Sequence, residues 1–197
     1  DLNSWRHEAL RQGAYLHDLG KLCIPDAVLL KPGRLDKPEW EIMKTHAQRG
    51  FELAATIPSI RPEALDVIHF HHEHWDGAGY PNNLGGGKIP LLARIFAICD
   101  VYDALLSPRT YKPAWTEIDA IRELQQQRNS HFDPELVDLF VKLWAEAAFD
   151  DLRHTHEPIA TLADKPTLMV LPARQPALPI TALLPTPLVT RPPTRGE

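Results

Sequence analysis

Cysteine is almost missing from this sequence: Cys23 and Cys99 are the only two, and neither belongs to a CxxC pair. That excludes a disulfide framework and a thiolate zinc site, and a reducing cytoplasm fits such sparing use. A basic excess is missing too. The formal net charge is −5, so no positive surface invites a long nucleic acid as partner. The most apolar stretch, IPLLARIFAICDVYDALL, is broken by Arg94, Asp100 and Asp103, which excludes a membrane span there. Nothing near the start reads as a signal peptide. No segment alternates apolar and polar residues as a half-buried strand would, which leaves an all-α chain. It opens on Asp1 rather than Met, within what reads as helix, and this suggests a fragment of a longer protein.

What is present is a water-soluble composition, 44% hydrophobic and 24% charged, in 197 residues, enough for one domain with a real core. Residues 2–16 carry Leu2, Trp5, Ala9, Gly13 and Leu16 at helical spacing, and Gly20 is a plausible C-cap. IPDAVLLKPGRL reads as a loop. Asp36, Pro38 and Glu39 then make a capping signal for a helix to about residue 54 with His46 at its middle. A helix opening at Pro62 is expected to carry His71, His72 and Trp75 in its last turns before Gly77 and Gly79 stop it. From Pro90 a long apolar helix reads to about residue 107, with Ala93, Ala97, Asp100 and Ala104 along one stripe. Thr116 with Asp119, and Asp133-Pro134-Glu135, cap two more helices, the last bearing Leu136, Val137, Phe140, Val141 and Trp144. The domain is expected to span residues 1–157. The last forty residues hold nine of the 19 prolines and no aromatic residue, so 158–197 reads as a Pro-rich tail or linker that cannot bury enough surface to order itself.

The stretch HFHHEHWDGAGYP, residues 69–81, gathers four histidines, a glutamate and an aspartate just where a helix must stop. His17 and Asp18 sit together in HDLGK at another helix end. A neutral imidazole with a carboxylate suits iron or manganese, and also zinc, whereas magnesium and calcium prefer oxygen shells. His46, the His71-His72 pair and Asp100 fall on separate predicted helices that can face one another in a bundle. His7, His69, His74, His131, His154 and His156 read as ordinary surface or core histidines.

In order and spacing, HDLGK, IPDAVLLKPGRL, EWEIMKTHAQRG, HHEHWDGAGYP, IPLLARIFAICDVYDALLSPRTYK and HFDPELVDLF resemble the HD-GYP family of cyclic di-GMP phosphodiesterases, over about residues 8–145. The resemblance implies an HD-type helical bundle holding two or three transition-metal ions, iron first and manganese as an alternative. By position His17, Asp18, His46, His71, His72 and Asp100 match the family's metal ligands, with Asp18 as the bridge between ions. Lys21 matches the lysine near the scissile phosphate, Tyr80 belongs to the GYP loop, and Arg109 and Lys112 in SPRTYK match the basic pair that grips the dinucleotide. The implied partners are cyclic di-GMP, a GGDEF-type cyclase docking through the GYP loop, an upstream sensory or receiver domain, and a second copy in a homodimer. Two departures stand out. No segment before Asp1 supplies the family's preceding helix, so the first metal shell is expected to be incomplete in this chain. DALLS replaces the family's DALTS, with Leu106 where a hydroxyl is usual. Two other readings compete: an HD phosphohydrolase acting on mononucleotides, against which the GYP turn and SPRTYK argue, and a silent cyclic di-GMP receptor or docking module, which an intact ligand set disfavours.

Overall fold

Apolar stripes fold into helices, three of them opened by side-chain caps, and the computed structural model, which describes residues 4–108 and 114–146, contains no strand among them. The order is α1 (Ser4–Leu16), α2 (Asp26–Leu29), α3 (Lys37–Ala55), α4 (Pro62–Phe70), α5 (Leu91–Leu106), α6 (Glu117–Gln126) and α7 (Pro134–Ala145), with short 3-10 turns at Leu19–Cys23 and Gly86–Lys88. The predicted tail and the residues Arg109 and Lys112 lie outside the described residues.

The caps follow the sequence. Asp36 accepts from the Glu39 amide at 2.9 Å while Glu39 accepts from the Asp36 amide at 2.8 Å, a closed capping box at the start of α3. Thr116 takes the Asp119 amide ahead of α6. Asp133 takes the Glu135 amide ahead of α7 and also receives Arg94 Nη1 at 2.5 Å, tying that cap to α5.

Three local expectations need correcting. IPDAVLLKPGRL is not all loop: Asp26–Leu29 closes a helical turn, because the Pro25 carbonyl accepts from the amides of Val28 and Leu29. Gly20 is no C-cap of α1, which ends at Leu16; it lies in the following 3-10 turn. There a Cβ would stand 1.9 Å from the His46 carbonyl oxygen, so glycine is what lets this turn lie against α3. The third concerns α4, which stops at Phe70, leaving His71 as its C-cap and His72 and Trp75 beyond it. The His72 carbonyl is taken by the Tyr80 amide at 3.0 Å, so the returning loop captures an acceptor that a longer helix would have used.

The long apolar α5 carries two cores, one on each side. Ala9, Ala64, Val67, Leu92 and Phe96 join it to α1 and α4, and Ala97, Ile98, Leu124, Phe132 and Val137 join it to α6 and α7. No helix among the described residues is long and apolar enough to cross a membrane.

Candidate active site

Four separate pieces of chain meet at one point: the exit of α1, the middle of α3, the end of α4 and the middle of α5. His17 and Asp18 follow α1, His46 sits inside α3, His71 and His72 follow α4, and Asp100 projects from α5. Asp18 is central. Its carboxylate lies 3.3 Å from His17 Nε2, 3.7 Å from His46 Nε2 and 2.8 Å from Lys21 Nζ. His17 Nε2 lies in turn 3.8 Å from Asp100 Oδ1.

The imidazoles share one device. His17, His46 and His71 each direct Nδ1 to the backbone carbonyl three residues earlier, of Ala14 at 2.7 Å, Met43 at 2.8 Å and Ile68 at 2.9 Å. A carbonyl only accepts, so Nδ1 carries the proton and Nε2 presents a lone pair. The Nε2 atoms of buried His46 and His71 stand 3.4 Å apart. Two facing lone pairs cannot hydrogen-bond to each other, and a cation taking both relieves the conflict. Ligand atoms of His46, His71 and His72 all lie within 4.8 Å of one another, while His17, Asp18 and Asp100 form an adjoining group with an oxygen-rich face. These donors fit a transition metal, and they exceed what one ion needs.

The electrostatics hold His46, His71, His72 and Asp18 in their binding forms, whereas for His17 burial acts downward but Asp18 and Asp100 outweigh it and raise the imidazole above its ordinary value. Burial pushes the His71 pKa down to about 3, helped by His46 and His17, and burial with the neighbouring His71 holds His72 well below the usual imidazole range. Burial likewise lowers His46. For Asp18 burial acts upward, but the neighbouring His17 and the Lys21 charge outweigh it and hold the carboxyl well below its ordinary value. Asp100 is raised by burial, and Tyr80 is held as the neutral phenol for the same reason.

The GYP loop closes one side. The Tyr80 ring lies 4.7 Å from that of His72 and 6.3 Å from that of His46. At Gly79 a Cβ would stand 2.3 Å from the His74 amide nitrogen, so only glycine allows the loop to fold back this tightly. Glu73, to which the sequence reading gave no role, holds that fold: its carboxylate accepts from the Asn82 amide at 2.6 Å and the Leu84 amide at 2.9 Å, and it is 2% exposed. A usable signal was there, since a glycine-rich loop leaves amides that need an acceptor and Glu73 is the carboxylate next to it. His74 and His131 stack on each other at 3.9 Å.

Thus eight of the ten residues singled out from the sequence are described here: His17, Asp18, Lys21, His46, His71, His72, Tyr80 and Asp100 share one site. Comparison with known proteins gives the same neighbourhood. A family model described as HD domain matches residues 1–136. The chain is 44% identical over 140 residues to a 3′3′-cGAMP-specific phosphodiesterase 2 of Vibrio cholerae, covering 71% of this chain and 27% of that protein. It is 48% identical over 135 residues to the cyclic di-GMP phosphodiesterase response regulator RpfG of Xanthomonas campestris, covering 68% of this chain and 35% of that protein. The chain therefore spans about a third of the curated relatives it matches. A crystal structure of a cyclic GMP-AMP specific phosphodiesterase of V. cholerae superposes with a TM-score of 0.58 at 22% identity, over 77% of this chain and 41% of that one, and supports the fold.

Proposed function

Because the chain belongs to the HD domain family, in its HD-GYP branch, we propose that it hydrolyses the phosphodiester bond of a cyclic dinucleotide, cyclic di-GMP first, to linear pGpG, with GMP as a further product. The observation that carries this reading is the convergence of six nitrogen and oxygen donors beside Lys21. In it His17, Asp18, His46, His71, His72 and Asp100 hold two or three transition-metal ions, iron first and manganese as the alternative. Such ions, when bound, supply Lewis acidity at the phosphate and lower the pKa of water toward neutrality.

The protein's own groups do the rest. The Nδ1 bonds to backbone carbonyls fix the tautomers, so the donor atoms need no reorganisation. Asp18 stays ionised at any pH where the protein works. Lys21, anchored on Asp18 at 2.8 Å and still partly exposed, turns its remaining N–H groups toward the non-bridging phosphate oxygens. In-line attack by water breaks the bond to the 3′ oxygen, which leaves and takes up a proton. Tyr80 walls the site and keeps its phenolic proton. Arg109 and Lys112 extend the grip to the second phosphate or a guanine edge, Arg109 through its planar fork. A GGDEF-type cyclase on the GYP loop, an upstream receiver or sensory module, a homodimer and a cytoplasmic location belong to the same proposal; the response-regulator name of one relative and two unpaired cysteines support the module and the compartment.

The test is metal analysis and hydrolysis on anaerobically purified protein, with cyclic di-GMP and 3′3′-cGAMP assayed side by side because relatives of both names match. At least one metal per chain and cleavage of one dinucleotide are expected. Asp18→Ala should lose more metal than His74→Ala and about a hundredfold or more in turnover. Metal-replete protein that cleaves neither dinucleotide would overturn the reading.

A further inference from the structure

Beside the donor cluster stands a group that has no part in holding ions: Trp40 and Lys44 of α3, one helical turn apart, and Tyr80 of the loop. The Trp40 and Tyr80 ring centres are 6.1 Å apart with the planes at 86°, and Lys44 Nζ lies 6.0 Å from the Tyr80 ring centre. Tyr80 in turn packs on His72, so Trp40 is two ring contacts from the metal donors. All three side chains are only half-buried. Two aromatic planes at right angles make a corner, and a cation sits beside it. Core packing accounts for an indole against a phenol but not for the ammonium. Lys44 pairs with Glu41 at 2.8 Å, an i,i+3 contact with a largely exposed carboxylate that binds it weakly and lets it turn to another acceptor.

Resting on the cyclic dinucleotide reading, we propose that Trp40 and Lys44 form the subsite for a guanine of the substrate, next to the scissile phosphate. A purine entering the corner stacks on one ring and meets the other edge-on, an arrangement that any base satisfies. Lys44 adds discrimination, because guanine offers two acceptors, O6 and N7, on one edge where adenine places an amino group beside N7. Trp40 therefore supplies affinity, and Lys44 supplies preference for guanine over adenine.

The experiment is calorimetric binding of the non-hydrolysable phosphorothioate analogue of cyclic di-GMP, and of its cyclic di-AMP counterpart, to metal-loaded wild-type, Trp40→Ala, Trp40→Phe and Lys44→Ala proteins of equal metal content. Trp40→Ala should weaken binding of the guanine ligand about tenfold or more, and Trp40→Phe should restore most of it. Ligand-induced quenching of tryptophan fluorescence should largely vanish in Trp40→Phe, a change that a packing role would not produce. Lys44→Ala should narrow the preference for the guanine over the adenine ligand severalfold. Trp40→Ala binding as tightly as wild type, or quenching that survives in Trp40→Phe, overturns the proposal and leaves hydrolysis standing. Wild-type protein that binds but hydrolyses neither cyclic di-GMP nor 3′3′-cGAMP removes the hydrolytic reading and leaves this subsite; wild-type protein that binds neither analogue and cleaves neither dinucleotide removes both.

Discussion

A single carboxylate can decide the shape of a loop, and Glu73 does so here by accepting two backbone amides nine and eleven residues ahead. Glu73→Gln keeps one acceptor and turns an NH2 group toward the other amide, so a buried donor is left facing a donor. A stability loss of about 1–3 kcal/mol is expected, with a drop in turnover as Tyr80 loses its position, and thermal unfolding alongside kinetics checks it. Unchanged stability would mean that the loop holds itself. His131 makes a different prediction. Burial pushes its pKa down to about 3 from an ordinary 6.5, its Nδ1 has no protein partner, and it is stacked between His74 and Phe132. The folded state thus refuses a proton that the unfolded chain accepts. This contribution to stability is complete above pH 6.5 and is lost as the pH falls toward 3, by up to about 1.4 kcal/mol per unit. His131→Gln should flatten the acid limb of urea midpoint against pH while leaving turnover at neutral pH within about threefold of wild type. An unchanged acid limb would show that His131 is not the group being protonated.

At the scale of elements, the 3-10 turn after α1 matters most, because it brings Asp18 and Lys21 against α3. Gly20→Ala would drive a Cβ to 1.9 Å from the His46 carbonyl oxygen and 2.4 Å from the Gly50 amide nitrogen, both backbone atoms that cannot swing aside. The turn must lift off α3 and carry Asp18 with it. Loss of metal and a destabilisation of about 1–3 kcal/mol are expected, whereas Gly87→Ala, with nothing within 4 Å, should behave as wild type. Thermal unfolding and elemental analysis of the two variants decide it; equal behaviour would sink the argument. Element boundaries were legible where a cap carried them, as at Asp36, Thr116 and Asp133, since a cap is a local bond between residues two or three apart. The end of α4 was not legible. Glycines at 77 and 79 suggested a later stop, but the termination is set by Tyr80 reaching back to the His72 carbonyl, a contact across eight residues that no helical period encodes.

For the whole molecule, the donor cluster joins α1, α3, α4 and α5, so bound metal should act as a clasp across the bundle. An ion held at a hundredfold over its Kd stabilises by about 2.7 kcal/mol, and chelation should lower the Tm by roughly 5 °C or more. Scanning calorimetry before and after chelation, with iron or manganese added back, checks this; an unmoved Tm would mean that these donors do not close on an ion. The sequence by itself determined most of the helices, the caps at Asp36, Thr116 and Asp133 and the all-α class, because periodicity and capping are written in neighbouring positions, and it supplied the proposed donors through their match to a family pattern. Only the tertiary structure decided that His46 and His71 present their Nε2 lone pairs to each other, that Glu73 braces the loop, and that Trp40 and Lys44 meet Tyr80 in a corner. Those facts depend on how separate helices pack and where a loop returns, and such contacts link residues 9 to 40 positions apart, beyond the reach of any local pattern.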